Sequence, residues 1–408
     1  MVCRHSKKEL DLEFVDLGFQ PPSNSYLSKD DLSKPEITFP LRVRVSSFSW
    51  LVQTVDFASE KLFFNENYAY FSSVSNTWLR HAQNYFNLIS ERLKLSKDSF
   101  VVELASNDGY LLKYFKNSSI KCLGIEPTRS TAKIAKKFGI NVVEDFFTEK
   151  LSNNIKISHG KADLIVANNV YAHVPDINDF TIGIKNLLAK SGTVNIEFPH
   201  LLKLLKFNQF DTIYHEHFSY LSLTSVIKIF NHFELDIYDV EEINTHGGSL
   251  RIYGCHKGAL KVNRDNINKI IKDEKEYGLN DHLVYKNFMK KVNKIKDDLL
   301  SFLIDAKNKG KTVVAYGAAA KGNTLLNYAG IRSDLISYVF DYSPSKINKY
   351  LPGSHIEIKH PEFMRKIKPD YVLILPWNIS DEIINQEIEL KKSGTRFYRA
   401  IPELQEIN

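Results

Sequence analysis

Between Asp211 and Ser222 the chain reads DTIYHEHFSYLS, with two histidines, two tyrosines, a glutamate and an aspartate in twelve residues. Imidazole changes charge near neutral pH and suits proton transfer, so Tyr214, Glu216 and His217 are candidates for an acid–base centre. The same residue types also make metal sites. His215, Glu216 and His217 are adjacent, however, and point different ways, and the H-E-x-x-H spacing of zinc hydrolases is absent. A polar loop with satisfied histidines is the plain alternative. If the segment is helical, Tyr214 and His217 share a face at i, i+3; if it is extended, they do not.

A second group lies in VVELASNDGYLL. Glu103 ends an apolar run, and the turn Ser106-Asn107-Asp108-Gly109 leads into a helix pattern. Such a turn lets a ligand approach the backbone at the carboxyl edge of a parallel sheet. Glu126 follows Gly109 by seventeen residues, at the end of the next apolar run. A carboxylate there can accept both hydroxyls of a ribose. The G-x-G-x-x-G fingerprint is absent, which weakens a pyrophosphate reading, and an ordinary tight turn is the alternative. Asn168, Asn169 and His173 cluster after ADLIVANN, where they serve either a ligand or the turn itself. In THGGSLR, Gly247 and Gly248 permit close backbone approach and Arg251 is a candidate for phosphate; a turn before the strand SLRIYGC is the equal alternative. In GAAAKGN, a glycine turn at a helix start with Lys321 makes an anion site.

These residues need a scaffold. From Phe100 the chain alternates short apolar runs with amphipathic stretches, the pattern of a parallel sheet covered by helices. DINDFTIGIKNLLAKSG reads as a helix stopped by glycine, and SNTWLRHAQNYFNLISERLKL as a helix with Trp78, Ala82, Phe86 and Ile89 on one stripe. Residues 1–64 read as short strands and turns, broken by LGFQPPSNSYL. A charged helical stretch covers 261–307, and a second strand–turn–helix series follows to 408. The expected class is α/β: a small N-terminal lobe (1–64), a Rossmann-like domain (65–260) and a second Rossmann-like domain (261–408).

Composition narrows the function. The 408 residues carry a net charge of +6 with both signs interleaved, and no basic tract of the kind that binds nucleic acid. No apolar run reaches the ~18 to 20 residues of a membrane span, and the first residues lack the apolar core of a signal peptide. Three scattered cysteines form no disulfide framework, so a cytoplasmic setting is expected.

Taken in order, ELASNDGYLL, GIEPT, NNVYAHVPD, IEFPH, YHEHFSYLS and HGGSLRIY resemble the S-adenosylmethionine-dependent C-methyltransferases of nucleotide-linked deoxysugars, of the kind that act at C-3. The C-terminal YGAAAKGNTLLN and DYSPSKINKYLPG, and VDLGFQPPSNSYL near the start, extend the likeness over nearly the whole chain. The resemblance implies Glu103, Ser106, Asn107, Gly109, Glu126 and Asn168 at the methyl donor. It implies Tyr68, Asn169 and His173 near the sugar, and Lys321 and Asn323 near the nucleotide phosphates. It assigns His217 as base and Tyr214 as its acid–base partner, with Glu216 as a further polar group, and leaves His215 without a catalytic part.

The same family holds zinc in its N-terminal lobe with two C-x-x-C pairs. Here those positions are Cys3, Ser6, Ser46 and Ser49. Neutral hydroxyls are poor zinc ligands beside thiolate, so structural zinc is not expected. The resulting expectation is a monomeric or homodimeric C-methyltransferase acting on a nucleotide-activated keto-deoxysugar. The rivals are an O-methyltransferase of a nucleotide-sugar or glycan sugar, a nucleotide-sugar oxidoreductase, and a non-catalytic nucleotide-sugar-binding relative.

Overall fold

The apolar runs become the inner strands of three sheets in the computed structural model, which describes residues 1–57, 71–74 and 76–407. The middle sheet has seven strands. At its centre β4 (Phe100–Leu104) is buried along its whole length, with β5 (Lys121–Ile125) and β6 (Val142–Val143) on one side. On the other side lie β7 (Ala162–Asn168), β8 (Leu188–Pro199), β11 (Ser249–His256) and the edge strand β10 (Leu235–Ile243). The order is β10-β11-β8-β7-β4-β5-β6. β11 runs antiparallel to both neighbours, and the pairs from β6 to β8 are parallel. This is the doubly wound arrangement, in which ligands sit at the carboxyl ends of the parallel strands.

Helices cover both faces. The predicted helix after residue 75 spans Asn76–Leu93 and buries Ala82, Tyr85 and Ile89, while Trp78 and Phe86 are half-buried. The helix Ile177–Leu187 starts where Asp176 accepts bonds from the amides of Asn178 and Asp179. It does not run to a glycine stop: the chain turns extended at Leu188 and enters β8, with Gly192 packed against the Ala162 carbonyl inside the strand. Hydrogen bonding to β7 wins over helix continuation there.

The C-terminal sheet has the order β14-β13-β12-β15-β16-β17. Its strands are β12 (Val313–Tyr316), β13 (Val339–Phe340), β14 (Ile358–Lys359), β15 (Tyr371–Ile374), β16 (Arg396–Arg399) and β17 (Gln405–Ile407). All pairs are parallel except β16 with β17.

The N-terminal sheet is antiparallel, in the order β1 (Leu12–Gln20), β2 (Phe39–Val45), β3 (Val52–Thr54), β9 (Ser219–Tyr220). Its fourth strand therefore comes from the histidine-rich stretch: Tyr220 pairs with Val52 and Ser219 with Gln53. The charged stretch before the last domain forms the helices Arg264–Tyr277 and His282–Asn308. The second drives Tyr285, Phe288 and Val292 into one continuous core with Phe14, Leu17 and Val43 of the lobe and Ala315 and Leu325 of the C-terminal domain. Each such side chain contributes roughly 1.5–3 kcal/mol of apolar burial, so the lobe is held by its neighbours as much as by its own strands. Among the described residues, no helix is long and apolar enough to cross a membrane.

Candidate active site

The stretch 211–222 is neither helical nor extended at its centre. Residues 214–217 form a turn closed by the His217 amide on the Tyr214 carbonyl at 3.0 Å. The turn brings the Tyr214 ring against the His217 ring, 3.9 Å between centroids and tilted by 34°. The His217 Nδ1 lies 2.8 Å from the Thr212 carbonyl and must donate to it, so Nε2 keeps its lone pair. Burial pushes the His217 pKa well below the ordinary histidine value; the charge of His173 adds to this, and the Thr212 bond opposes it. His173 stands edge-on to His217 at 4.6 Å, its Nδ1 donating to the Glu216 carbonyl at 2.8 Å. Burial lowers His173 to about 4. Both imidazoles are therefore neutral at physiological pH. His215 turns away towards Phe39, 6.0 Å between ring centroids.

Glu216 is buried. Its two oxygens accept from the Asn24 amide at 2.8 and 2.9 Å, and burial raises its pKa to about 7. Asn24 belongs to the proline-broken loop of the N-terminal lobe, which also carries Ser23 and Tyr26. The Ser23 carbonyl accepts from Asn323 at 2.6 Å, and the Tyr26 hydroxyl donates to the Ala318 carbonyl at 2.7 Å. Asn323, expected near phosphates, is a buried strut between lobe and C-terminal domain on its amide side. Its Oδ1 has no partner.

At the carboxyl edge of β4 and β5 the loop 105–109 takes positive φ at Ala105, Asn107 and Gly109. Glu126 accepts from the Asn107 amide at 2.8 Å and the Thr128 amide at 2.9 Å, which shapes the turn. The side chains of Asn107 and Asp108 accept from the amides of Ser72 and Ser73 at 2.9 and 3.1 Å. Gly109 is needed by packing: a Cβ there would lie 2.4 Å from Ile140 and 3.2 Å from Ala135. Glu103 Oε2, Ser106 Oγ, Asp108 Oδ1 and Asn168 Oδ1 are buried without partners among the described residues. Burial raises the pKa of Glu103 well above the carboxylate range and raises that of Glu126 against its backbone bonds. Orphaned polar atoms converging on one strand edge suit a polar, nucleoside-bearing ligand. They fit the S-adenosylmethionine that the resemblance implies.

Arg251 lies among carboxylates. Its guanidinium pairs with Glu197 at 3.1 Å and Glu241 at 3.3 Å and covers the Tyr85 ring at 4.8 Å. Glu197 also accepts from His81 at 3.1 Å and from the Thr245 hydroxyl at 3.0 Å. Burial alone would raise the Glu197 pKa, but the His81 bond and the charge of Arg251 hold it low. A carboxylate with no exposed side-chain surface needs a cation, which is why Arg251 turns inward. Gly247 and Gly248 approach protein rather than ligand: Trp377 fills the space of a Gly247 Cβ, and Lys203 that of a Gly248 Cβ.

Lys321 donates to Asn378 at 2.6 Å and lies 4.5 Å over the Trp377 ring. Burial lowers its pKa and Asp211 opposes. Asp211 accepts from the Trp377 indole at 2.7 Å, and burial raises it to about 6. Trp377 lies between Lys321 and Asp211, and the Thr324 hydroxyl donates to the Ile213 carbonyl at 2.8 Å, so the lysine's helix packs on the histidine-bearing stretch. Asn169 has positive φ, its amide bonded to the Glu197 carbonyl at 2.7 Å and its side-chain atoms unpartnered among the described residues. Tyr68 lies outside the described residues. Sequence reasoning missed Asn24, His81, Glu197, Asp211, His246 and Trp377. The motif IEFPH held Glu197, and a buried acid at a strand exit was the available signal.

In the N-terminal lobe, Cys3 Sγ lies 3.2 Å from Ser49 Oγ and accepts from the Ser6 amide at 3.4 Å. Ser46 is fully buried with an unpartnered hydroxyl. One thiol and three hydroxyls do not make a zinc donor set.

Three family profiles match: one described as "Putative zinc binding domain" over residues 3–64, a "Methyltransferase domain" over 78–240, and a "C-methyltransferase C-terminal domain" over 244–402. C-methyltransferase NovU of Streptomyces niveus is 33% identical over 402 residues, 98% of this chain and 95% of that protein. Similar solved structures include a SAM-dependent methyltransferase from Anabaena variabilis ATCC 29413, at 15% identity, 43% of this chain, 85% of that chain and TM-score 0.37. Another is magnesium protoporphyrin IX methyltransferase from Synechocystis PCC 6803 with bound SAH, at 11% identity, 44% and 83% coverage and TM-score 0.35. The near-full-length identity to NovU and the matched domains together mean that the chain belongs to the S-adenosylmethionine-dependent C-methyltransferases.

Proposed function

We propose that the enzyme methylates a carbon beside the ketone of a nucleotide-activated keto-deoxysugar, at C-3, and that His217 removes the proton. The observation that carries this reading is the fixed tautomer of His217, with Nδ1–H on Thr212 and a bare Nε2 beside Tyr214. S-adenosylmethionine supplies an electrophilic methyl group; Glu103, Ser106, Asn107, Gly109, Glu126 and Asn168 hold it. The chain's own residues must create the carbon nucleophile. A hydrogen beside a ketone is acidic because the resulting anion spreads onto oxygen. His217 Nε2 takes that proton, and the neutral state enforced by burial keeps it competent as a base. The Tyr214 hydroxyl then donates to the enolate oxygen. Asn169 and His173 orient the sugar, Glu216 fixes the turn, and Lys321 supplies positive charge for the nucleotide phosphates.

The test is solvent exchange at C-3. TDP-4-keto-2,6-dideoxyglucose is incubated with enzyme in D2O and followed by NMR, with and without S-adenosylmethionine, beside His217→Ala. Enzyme-dependent deuterium uptake is expected, with the variant slower by about 10²–10⁴-fold at unchanged donor affinity. Methylation of a hydroxyl, or exchange that survives in the variant, overturns the reading.

A further inference from the structure

The loop Thr245–Gly248 carries a histidine that the proposed mechanism leaves unused. His246 has φ 53° and ψ 23°, the left-handed region where glycine is the cheap choice. Everything around it over-determines that conformation. The Thr245 hydroxyl is fixed on buried Glu197, and the Gly248 amide bonds the Thr245 carbonyl at 2.9 Å. The Gly247 carbonyl accepts from Gln209 at 2.9 Å, while Trp377 fills the space a Cβ would need there. The loop lies between Glu197, whose carbonyl holds the Asn169 amide, and Trp377, which also carries Lys321, and its imidazole packs on Trp78 at 5.3 Å between centroids. Like His173 it is held neutral, burial being the main cause, and so keeps one N–H donor and one acceptor nitrogen.

We propose that His246 is a substrate-touching residue of the acceptor pocket, its imidazole hydrogen-bonding an oxygen of the acceptor while His217 takes the proton. This rests on the reading given under Proposed function. Its chemistry is that of a neutral donor to a hydroxyl or carbonyl oxygen, distinct from the base and from the cationic Lys321. The loop accepts local strain to aim it.

The test uses His246→Gly, which removes the ring and relaxes the backbone. The expected result is a fall of about tenfold or more in kcat/KM for the keto sugar. Thermal stability should be equal or higher, and S-adenosylmethionine affinity unchanged by calorimetry. His246→Asn, which tolerates the left-handed region and keeps a donor, should recover part of the loss. Activity within about twofold of wild type overturns the proposal. So does a loss of activity that tracks lowered melting temperature or weakened donor binding, since that is a structural role. A wild-type enzyme inert on the keto sugar in the exchange experiment is a different outcome. It overturns the proposed function and takes this inference with it.

Discussion

At the residue scale the distinctive feature is a set of groups kept in the uncharged state by burial. Glu216 makes a testable case. Its pKa rises from 4.5 to about 7 on folding, with burial as the cause and the Asn24 bond opposing. A group raised in this way contributes stability that is present below pH 4.5 and is lost as pH climbs through 7. Glu216→Gln cannot titrate. Its melting temperature relative to wild type should therefore climb between pH 4.5 and 7 and then level off, a change on the order of 3 kcal/mol. A flat difference across that window would mean the carboxyl is not desolvated. Asn24→Ala should slow turnover and shift the pH profile while sparing donor affinity, because Asn24 acts on the acceptor side only through Glu216. That Tyr214 and His217 are neighbours was legible in the sequence, because they lie three residues apart. Their ring contact was not, because a tight turn has no periodicity to read. Asn24 was invisible because its partner lies 192 residues away.

At the element scale, the alternation of strands and helices in the middle domain was readable because parallel strands are near-continuous apolar runs. The exit of the helix at Leu187 was not, because the glycine that looked like a stop serves strand packing. In THGGSLR the strand after the glycines sets where the arginine goes: β11 brings Arg251 opposite Glu197 in the ladder, and a buried carboxylate needs a cation there. Arg251→Met should accordingly lower stability by roughly 3–5 kcal/mol, the cost of breaking a buried pair. The surviving enzyme should keep its acceptor KM; a raised KM at unchanged melting temperature would restore the phosphate reading. In the lobe, the donor set argues that folding proceeds without zinc. EDTA should leave the melting temperature of the wild type unchanged. A Ser6→Cys, Ser46→Cys, Ser49→Cys variant should take up about one zinc per chain by elemental analysis.

At the scale of the molecule, the sheets do not respect the sequence order of the domains. β9 leaves the middle domain to finish the lobe, and the helix His282–Asn308 gives the lobe and the C-terminal domain one core. Calorimetry should therefore find the lobe melting together with the C-terminal domain rather than in an early transition of its own. A separate low-temperature peak that abolishes only β1–β3 protection would contradict the shared core. The closure of that lobe has a consequence in time. Ser23 waits for Asn323, 300 residues later, and Val52 waits for Tyr220, which follows His217 by three residues. During synthesis the amino-terminal strands emerge early with an open edge and no lasting partner. The edge of β3 therefore stays unpaired until Tyr220 has been made.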